Sequence, residues 1–271
     1  MCYRFWLVGG AVGEISVYMV SIRTRPWSFP LALALAHTLA SAAVPAAELG
    51  QERIVDLELV LAVDASSSVS DEEFDLQIRG LAEAFPHRSV VRAIHATGDL
   101  GLVVALFQWA DNHQQILASD WMVVRNAPTA SRFAKQVETV IRSFAGNTAI
   151  GSALEFAIGQ LEGNRFDGRR KVIDVSGDGR NNHGSAAWLA RDLAVARGIT
   201  VNGLAILNED LTLDRYYVTN VTGGTGAFVM TANDYEAYRL AILAKLIKEI
   251  SGAPVAARPS RLETSLAVAP R

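Results

Sequence analysis

The stretch Ile54–Val63, IVDLELVLAV, decides the fold class, and Asp64-Ala65-Ser66-Ser67-Ser68 follows it directly. Most of this stretch is Val, Leu, Ile or Ala, and its only polar residues stand near its start. A nearly continuous apolar run that ends at polar residues is typical of a strand buried on both faces, the kind found in parallel sheets. We therefore predict a parallel strand whose carboxyl end lies at Asp64.

Strand and helix patterns alternate from this point onward. Ser70 and Glu73 form a capping-box pattern, and apolar residues recur at helical spacing after them. This alternation predicts an α/β fold with a doubly wound, mainly parallel sheet flanked by helices. The further predicted strands are Gly101–Trp109, an edge strand within Gln114–Val124, Lys171–Ser176, Thr200–Leu207 and Ala227–Met230. The further predicted helices are Ala130–Phe144, Ala149–Leu161, Ser185–Arg197, Asp214–Val221 and Asp234–Ile250.

Three polar clusters stand at predicted strand ends or helix starts. They are Asp64–Ser68 after the first strand, Gly146-Asn147-Thr148 before a helix, and Gly177-Asp178-Gly179 after a later strand. Ligands of such sheets bind at the carboxyl ends of the strands, so we expect these clusters to meet. Together they offer carboxylate and hydroxyl oxygens, which suit Mg²⁺, Mn²⁺ or Ca²⁺. The sequence therefore predicts a metal site formed by Asp64, Ser66, Ser68, Thr148 and Asp178.

Each cluster also has a simpler interpretation. Ser66, Ser68 and Thr148 are good helix N-caps, and Asp178 suits an ordinary turn. Asp174 lies inside a predicted buried strand, where it either supports the metal site or is bonded to the backbone. Residues 180–183, Arg-Asn-Asn-His, either contact a partner or form turns.

The pattern Asp64-x-Ser66-x-Ser68 with Thr148 and Asp178 resembles the metal-ion-dependent adhesion site of von Willebrand factor A domains. The resemblance extends from Ile54 to about Gly252. More narrowly, residues 170–179, RKVIDVSGDG, and residues 198–206, GITVNGLAI, are similar to an uncharacterised bacterial family with an A-like domain.

The resemblance implies that Ser66 and Ser68 bind the metal directly. Thr148 would bind it directly or through water, and Asp64 and Asp178 would act largely through water. One coordination position would then stay open for an Asp or Glu of a protein partner. Many A domains have Thr-Asp-Gly where this chain has Ser176-Gly177-Asp178-Gly179, and the extra glycine leaves open how close Asp178 lies to the metal.

The two ends of the chain predict export and a flexible tail. Residues 1–46 are predicted to be a targeting segment, with a signal peptide at about 19–46, because arginines precede a short apolar run that ends in small residues. Residues 54–252 are the predicted domain, and residues 253–271, rich in Ala, Pro, Arg and Ser, are the predicted disordered tail. We expect a periplasmic or secreted protein with no membrane span in its mature chain.

Composition narrows the possible functions. Cys2 is the only cysteine, which excludes a disulfide framework and a cysteine-based zinc site. The net charge of −3 and the lack of basic runs give no sign of nucleic-acid binding. We therefore predict a metal-dependent protein-binding domain rather than an enzyme. One alternative is a hydrolase, with Ser176 and His183 as nucleophile and base, or with Asp64 as an aspartyl nucleophile, although Ser66 stands where such phosphatases need a second Asp. The other alternative is a metal-free interaction scaffold.

Overall fold

A computed structural model describes residues 53–252, which form a central seven-stranded sheet with helices on both faces. The first strand is longer than its apolar run because pairing with its two neighbours in the sheet extends from Arg53 to Asp64. The strands are β1 (Arg53–Asp64), β2 (Leu102–Trp109), β3 (Gln115–Leu117), β4 (Met122–Val124), β5 (Phe166–Gly177), β6 (Ile199–Ile206) and β7 (Val229–Ala232).

The order of the strands puts the metal-site candidates in the middle of the sheet. The order is β3-β2-β1-β5-β6-β7, and β4 pairs with β2 beside β3. All pairs from β2 to β7 are parallel, whereas β3 and β4 run antiparallel to β2. Because β1 and β5 are neighbours, the residues that follow them reach the same edge. The prediction of a doubly wound, mainly parallel sheet is confirmed.

Alternate residues of β1 explain the two layers of helices. Leu59 and Leu61 belong to a core shared with α1, α2, α3 and α7, and Val60 and Ala62 to a core shared with α4 to α6. The helices are α1 (Asp71–Ala84), α2 (Arg88–Thr97), α3 (Ala127–Val137), α4 (Ile150–Gly163), α5 (Ala187–Ala196), α6 (Leu213–Tyr216), which continues as a π-helical turn over Tyr217–Val221, and α7 (Tyr235–Ser251).

Capping residues set several helix ends where the sequence predicts them. The Ser70 hydroxyl accepts from Glu73 N, and the Glu73 carboxylate accepts from Ser70 N, which confirms the capping box at the start of α1. Asp234 caps α7 through Ala237 N at 2.7 Å. Gly198 follows α5 with a positive φ of 74°, a conformation that favours glycine.

Several elements of the structure differ from the prediction. The predicted helix Ala130–Phe144 ends at Val137, because the Gln108 side chain binds Ile141 O and Ser143 N and holds that segment away from a helical path. The Gln114–Val124 edge strand is two short strands, β3 and β4. The sequence reading also missed α2, which buries Val90, Ala93 and Ile94 at helical spacing.

The predicted targeting segment, residues 1–46, and the predicted tail, residues 253–271, lie outside the described residues. Within residues 53–252, no helix combines the length and the apolar character needed to cross a membrane.

Candidate metal centre

The side-chain oxygen atoms of the loop after β1 form a largely buried hydrogen-bond network. Asp64 is fully buried, and its Oδ1 accepts a 2.7 Å hydrogen bond from the backbone N–H of Ser66. The Ser66 and Ser68 hydroxyl oxygens lie 3.2 Å apart. The amide Nε2 of Gln77, on α1, also donates to Asp64 O and holds this turn against the helix. The alternation of Asp64, Ser66 and Ser68 therefore gathers three side-chain oxygens on one side of the loop.

Asp178 joins this group from the end of β5. Its Oδ1 accepts from the Ser68 hydroxyl at 2.7 Å, and its Oδ2 accepts from the Tyr235 hydroxyl at 3.0 Å. Only 2 % of Asp178 is exposed. The neighbouring strands β1 and β5 thus bring the two carboxylates to one place, as their order in the sheet requires.

Gly177, the extra glycine before Asp178, does not move Asp178 away from the loop after β1. A Cβ atom at this position would lie 2.6 Å from Asp64 Oδ2 and 2.9 Å from the Tyr217 hydroxyl, both of which are buried. Real Cβ contacts are not this short, so only glycine lets β5 pass so close to Asp64. The glycine is required for the two loops to approach, and Asp178 still reaches Ser68.

Thr148 is held beside the other two loops by backbone hydrogen bonds. Its N–H donates to Asn182 Oδ1 at 2.9 Å, and its carbonyl accepts from Asn182 N at 2.9 Å. Its hydroxyl lies next to Gly179, 3.4 Å from the position of an added Cβ. Ser67 N donates to Gly146 O at 2.8 Å and ties the first loop to the second. All five predicted site residues therefore lie on three loops that are bonded to one another.

Arg142 holds the first loop in place from the segment after α3. Its guanidinium donates to the carbonyl oxygens of Ser66 at 2.7 Å and Ala65 at 3.1 Å, and to the Asp71 carboxylate at 2.8 Å. The side chain is only 15 % exposed. Because these carbonyl groups point toward Arg142, the guanidinium fixes the turn that carries Ser66 and Ser68.

Burial makes the two carboxylates costly to ionise together. Removal from water and, to a smaller extent, the nearby charge of Asp178 together raise the pKa of Asp64 to about 7. Burial also raises the pKa of Asp178, against the hydrogen bonds from Ser68 and Tyr235 that lower it. The second oxygen of Asp64 is buried and has no hydrogen-bond partner among the described residues. A positive charge here would remove the penalty on both groups.

The structure separates the two residues of the hydrolase alternative. Ser176 is buried in β5, and its hydroxyl reaches the carbonyl oxygen of Ala62. His183 is exposed and pairs instead with Asp111. These two side chains do not form a hydrogen-bonded nucleophile and base.

Asp174 does not take either of its expected roles. It is 2 % exposed and forms a salt bridge with Lys245, whose side chain is fully buried on α7. Lys245 also binds Glu249 at 2.6 Å. Asp174 is therefore one member of a buried ionic cluster between β5 and α7, rather than a carboxylate satisfied by the backbone.

Sequence reasoning missed Arg142, Tyr235 and Asn182 as parts of the site. Arg142 and Ser66 are separated by 76 positions, and Tyr235 and Asp178 by 57. No spacing pattern links residues so far apart. Asn182 stood within the Arg-Asn-Asn-His stretch, and its amide proves to bridge two loops rather than to form a turn of its own.

Comparison of the chain with families of known sequences identifies its relatives. The model of the family described as a protein of unknown function, DUF1194, matches residues 54–254. The chain belongs to the DUF1194 family. A search of curated proteins finds no match to this sequence.

Solved structures share the fold of this DUF1194 domain. Proximal thread matrix protein 1 from the mussel byssus superposes with a TM-score of 0.53 and 18 % identity, over 73 % of this chain and 46 % of that one. A second structure of that protein, described as having a zinc-occupied MIDAS motif, gives the same TM-score and identity. That match covers 74 % of this chain and 47 % of the matrix protein. The pilus adhesin SpaC from Lactobacillus rhamnosus GG superposes with a TM-score of 0.53 and 17 % identity. The match covers 74 % of this chain and 31 % of the adhesin. The chain thus spans less than half of these proteins, and the likeness establishes a von Willebrand factor A-like fold.

Proposed function

We propose that this domain binds a divalent cation through Asp64, Ser66, Ser68, Thr148 and Asp178, and that it uses the ion to hold a carboxylate of a protein partner. The observation that carries this proposal is the Ser68–Asp178 hydrogen bond of 2.7 Å, with the Ser66 hydroxyl 3.2 Å from Ser68. It gathers oxygens of β1 and β5 at the carboxyl edge of the sheet, where ligands of such folds bind.

The residues present fit a hard cation. The set contains carboxylates and hydroxyls alone, which favours Mg²⁺, Mn²⁺ or Ca²⁺. Within residues 53–252, no three His, Cys, Asp or Glu side chains form a possible metal cluster, so binding relies on the hydroxyl oxygens. The unpartnered Asp64 oxygen and the raised pKa of both carboxylates describe a site in which a cation offsets the cost of burial.

The surroundings of the site suit a protein partner. Ser67, Asn147 and Asn182 are exposed around the buried oxygens and offer polar contacts at the rim. When bound, a divalent cation supplies an electrophilic position at which a carboxylate replaces water. Ser66, Ser68 and Thr148 contribute no formal charge, and Asp64 and Asp178 would act largely through water, so the ion would keep an attraction for an anionic ligand. The fold is also that of a pilus adhesin and a byssal matrix protein, which supports a role in protein binding.

Export is part of the proposal. The pattern of residues 1–46 favours a cleaved targeting segment and a mature protein that begins near Ala47, outside the cytoplasm. N-terminal sequencing of the mature protein tests this part separately. Material isolated from outside the cytoplasm is expected to lack Met1, and an intact Met1 on cytoplasmic protein would contradict it.

Water-proton relaxation of the Mn²⁺-loaded protein tests the open coordination position. Bound Mn²⁺ with an exchangeable water raises the relaxation rate, and acetate is expected to lower it by displacing that water. Acetamide, which is similar in size but uncharged, is expected to leave the rate unchanged. An equal response to both compounds, or no response to acetate, would contradict carboxylate recognition while leaving cation binding intact.

A further inference from the structure

A second cleft opens at the other end of the sheet, away from the candidate metal centre. It lies between the first halves of β5 and β6, the loop before β7 and the last turn of α7. Its volume is about 630 Å³, within the range of pockets that bind small molecules. Its position at the amino ends of the strands separates it from Asp64 and Asp178, which follow the carboxyl ends.

Four cationic side chains line this cleft: Arg169, Arg170, Lys171 and Lys248. Two of them are paired with acids, since Arg169 binds Asp56 at 2.9 Å and Lys171 binds Asp167 at 3.2 Å. Arg170 and Lys248 form no salt bridge with any residue in the range 53–252. The lining therefore carries an excess of positive charge.

The two uncompensated cations are held in place by neutral groups. Arg170 donates to the carbonyl oxygens of Glu249 and Ile250, at 2.9 and 2.7 Å, and so fixes the end of α7. The ammonium of Lys248 lies 3.8 Å from the centroid of the Phe228 ring, in a cation–π contact. Both charges are thus positioned without being neutralised, which leaves them available to an anion.

The one acidic residue of the lining does not offset these charges. Glu249 is 3 % exposed, and burial together with the charge of Asp174 raises its pKa to about 8. Its carboxyl group lies 2.6 Å from the fully buried ammonium of Lys245, which also pairs with Asp174, so Glu249 is engaged within that buried cluster. The positive charges of the cleft lining are therefore not offset by Glu249.

Polar and apolar groups complete the lining. Asn202 accepts from Phe228 N with its Oδ1, so its side-chain N–H groups are the part left to donate. No acceptor binds those N–H groups among the described residues. Val172 and Ala227 add apolar surface beside Phe228. Such a combination of cations, an amide donor and apolar contacts suits an organic anion better than a bare ion.

We propose that this cleft binds a small organic anion, in which a carboxylate or phosphate group contacts Lys248 and Asn202 and an apolar part lies against Val172 and Ala227. This proposal does not depend on cation binding at Asp64 and Asp178. It assigns the domain a second ligand site with a different chemistry, and the two sites lie at opposite ends of the sheet.

Calorimetric titration of the full chain with phenyl phosphate and benzoate tests the proposal, in buffer that contains chelator. We expect both anions to bind and uncharged benzamide not to bind. Lys248→Gln is expected to weaken binding of the anions about tenfold or more, the loss of one charge-assisted contact. Lys135→Gln, the same charge change on exposed α3, is the matched control and is expected to bind like the parent.

The far-UV circular dichroism of both variants shows whether they are folded, and Lys248 is only partly buried, so a folded variant is expected. Asn202→Asp provides a second, independent variant, because a carboxylate in place of the amide is expected to repel the anion. Failure of both anions to bind the parent, binding of benzamide as tight as benzoate, or equal binding by Lys248→Gln and Lys135→Gln would overturn the proposal.

Discussion

The hydroxyl of Ser68 donates a 2.7 Å hydrogen bond to Oδ1 of Asp178, across 110 positions of the chain. Parallel pairing of β1 with β5 produces this contact, because each residue lies just beyond the carboxyl end of one of the two strands. The bond shows that the loop oxygens are assembled by the sheet itself. A cation would therefore enter a preformed group of ligands rather than organise it.

Replacing Gly177 by Ala is expected to disrupt this assembly. The new Cβ would lie 2.6 Å from Asp64 Oδ2 and 2.9 Å from the Tyr217 hydroxyl. The buried neighbours must shift, which we expect to cost about 1–3 kcal/mol of unfolding free energy. Urea unfolding monitored by circular dichroism measures this loss.

Gly159→Ala is the matched control for that substitution. Gly159 is exposed on α4, and no atom within 4 Å would meet its Cβ. We expect this variant to gain about 0.5–1 kcal/mol, since alanine favours the helix. Equal stability changes in the two variants would contradict the role assigned to Gly177.

Arg142→Gln is expected to loosen the loop after β1. The carbonyl groups of Ala65 and Ser66 lose their guanidinium partner, and loss of such a charged hydrogen bond is worth about 1.5–3 kcal/mol. Hydrogen exchange of the Ser67 amide, which donates to Gly146 O, is expected to become at least about tenfold faster. Arg132→Gln, at an exposed position of α3, is expected to leave this rate unchanged. A slow Ser67 amide in Arg142→Gln would show that the loop holds without the guanidinium.

Glu249 makes the stability of the domain depend on pH, and its raised pKa determines the sign of that dependence. Its folded pKa of about 8 lies above the ordinary value of 4.5, chiefly because of burial. The native state therefore binds this proton more tightly than the unfolded state, and the associated stability is lost as pH rises from about 5 through 8. Alkaline pH is expected to destabilise the domain through this group.

Glu249→Gln isolates that effect because glutamine imitates the protonated side chain. At pH 5 the parent and the variant are expected to have similar unfolding free energies. At pH 9 the variant is expected to be more stable by more than about 1 kcal/mol. Urea unfolding of both proteins in chelator at the two pH values measures the difference. A variant that follows the parent at both values would show that Glu249 is ionised in the native protein.

The sequence alone predicted the fold class and the elements that have a local sequence pattern. The apolar run before Asp64 predicted a central strand, and the Ser70–Glu73 pattern predicted the start of α1. Helix α3 was predicted too long because apolar residues continue past Val137. There, the side chain of Gln108, a residue of β2, competes for the backbone.

The contacts that depend on tertiary structure could not be predicted. Asp178, for example, suited an ordinary turn when judged from the sequence alone. The structure corrects this expectation, because Asp178 is buried and accepts from Ser68 and Tyr235. Lys245, the partner of Asp174, lies on a helix far along the chain and has no pattern that connects the two.

Asp178→Asn is expected to change stability in opposite directions with and without a cation. The amide keeps the size of the carboxylate, and its oxygen can accept from Ser68 while its NH2 group faces the Tyr235 oxygen, but it removes the charge that raises the pKa of Asp64. In chelator at pH 8, we expect the variant to be at least as stable as the parent. With excess Mn²⁺, the parent gains the stability of a bound ligand and becomes the more stable protein. Thermal melts under both conditions measure this reversal.

Calorimetric titration of Mn²⁺ into the parent and Asp178→Asn tests cation binding at this site most directly. The parent is expected to bind one ion per chain, and the variant is expected to bind it about 10–100-fold more weakly, the usual effect of removing a group that supports a metal site. A parent that binds no Mn²⁺, or a variant that binds it as tightly as the parent, would contradict the assignment of the site to Asp64, Ser66, Ser68, Thr148 and Asp178.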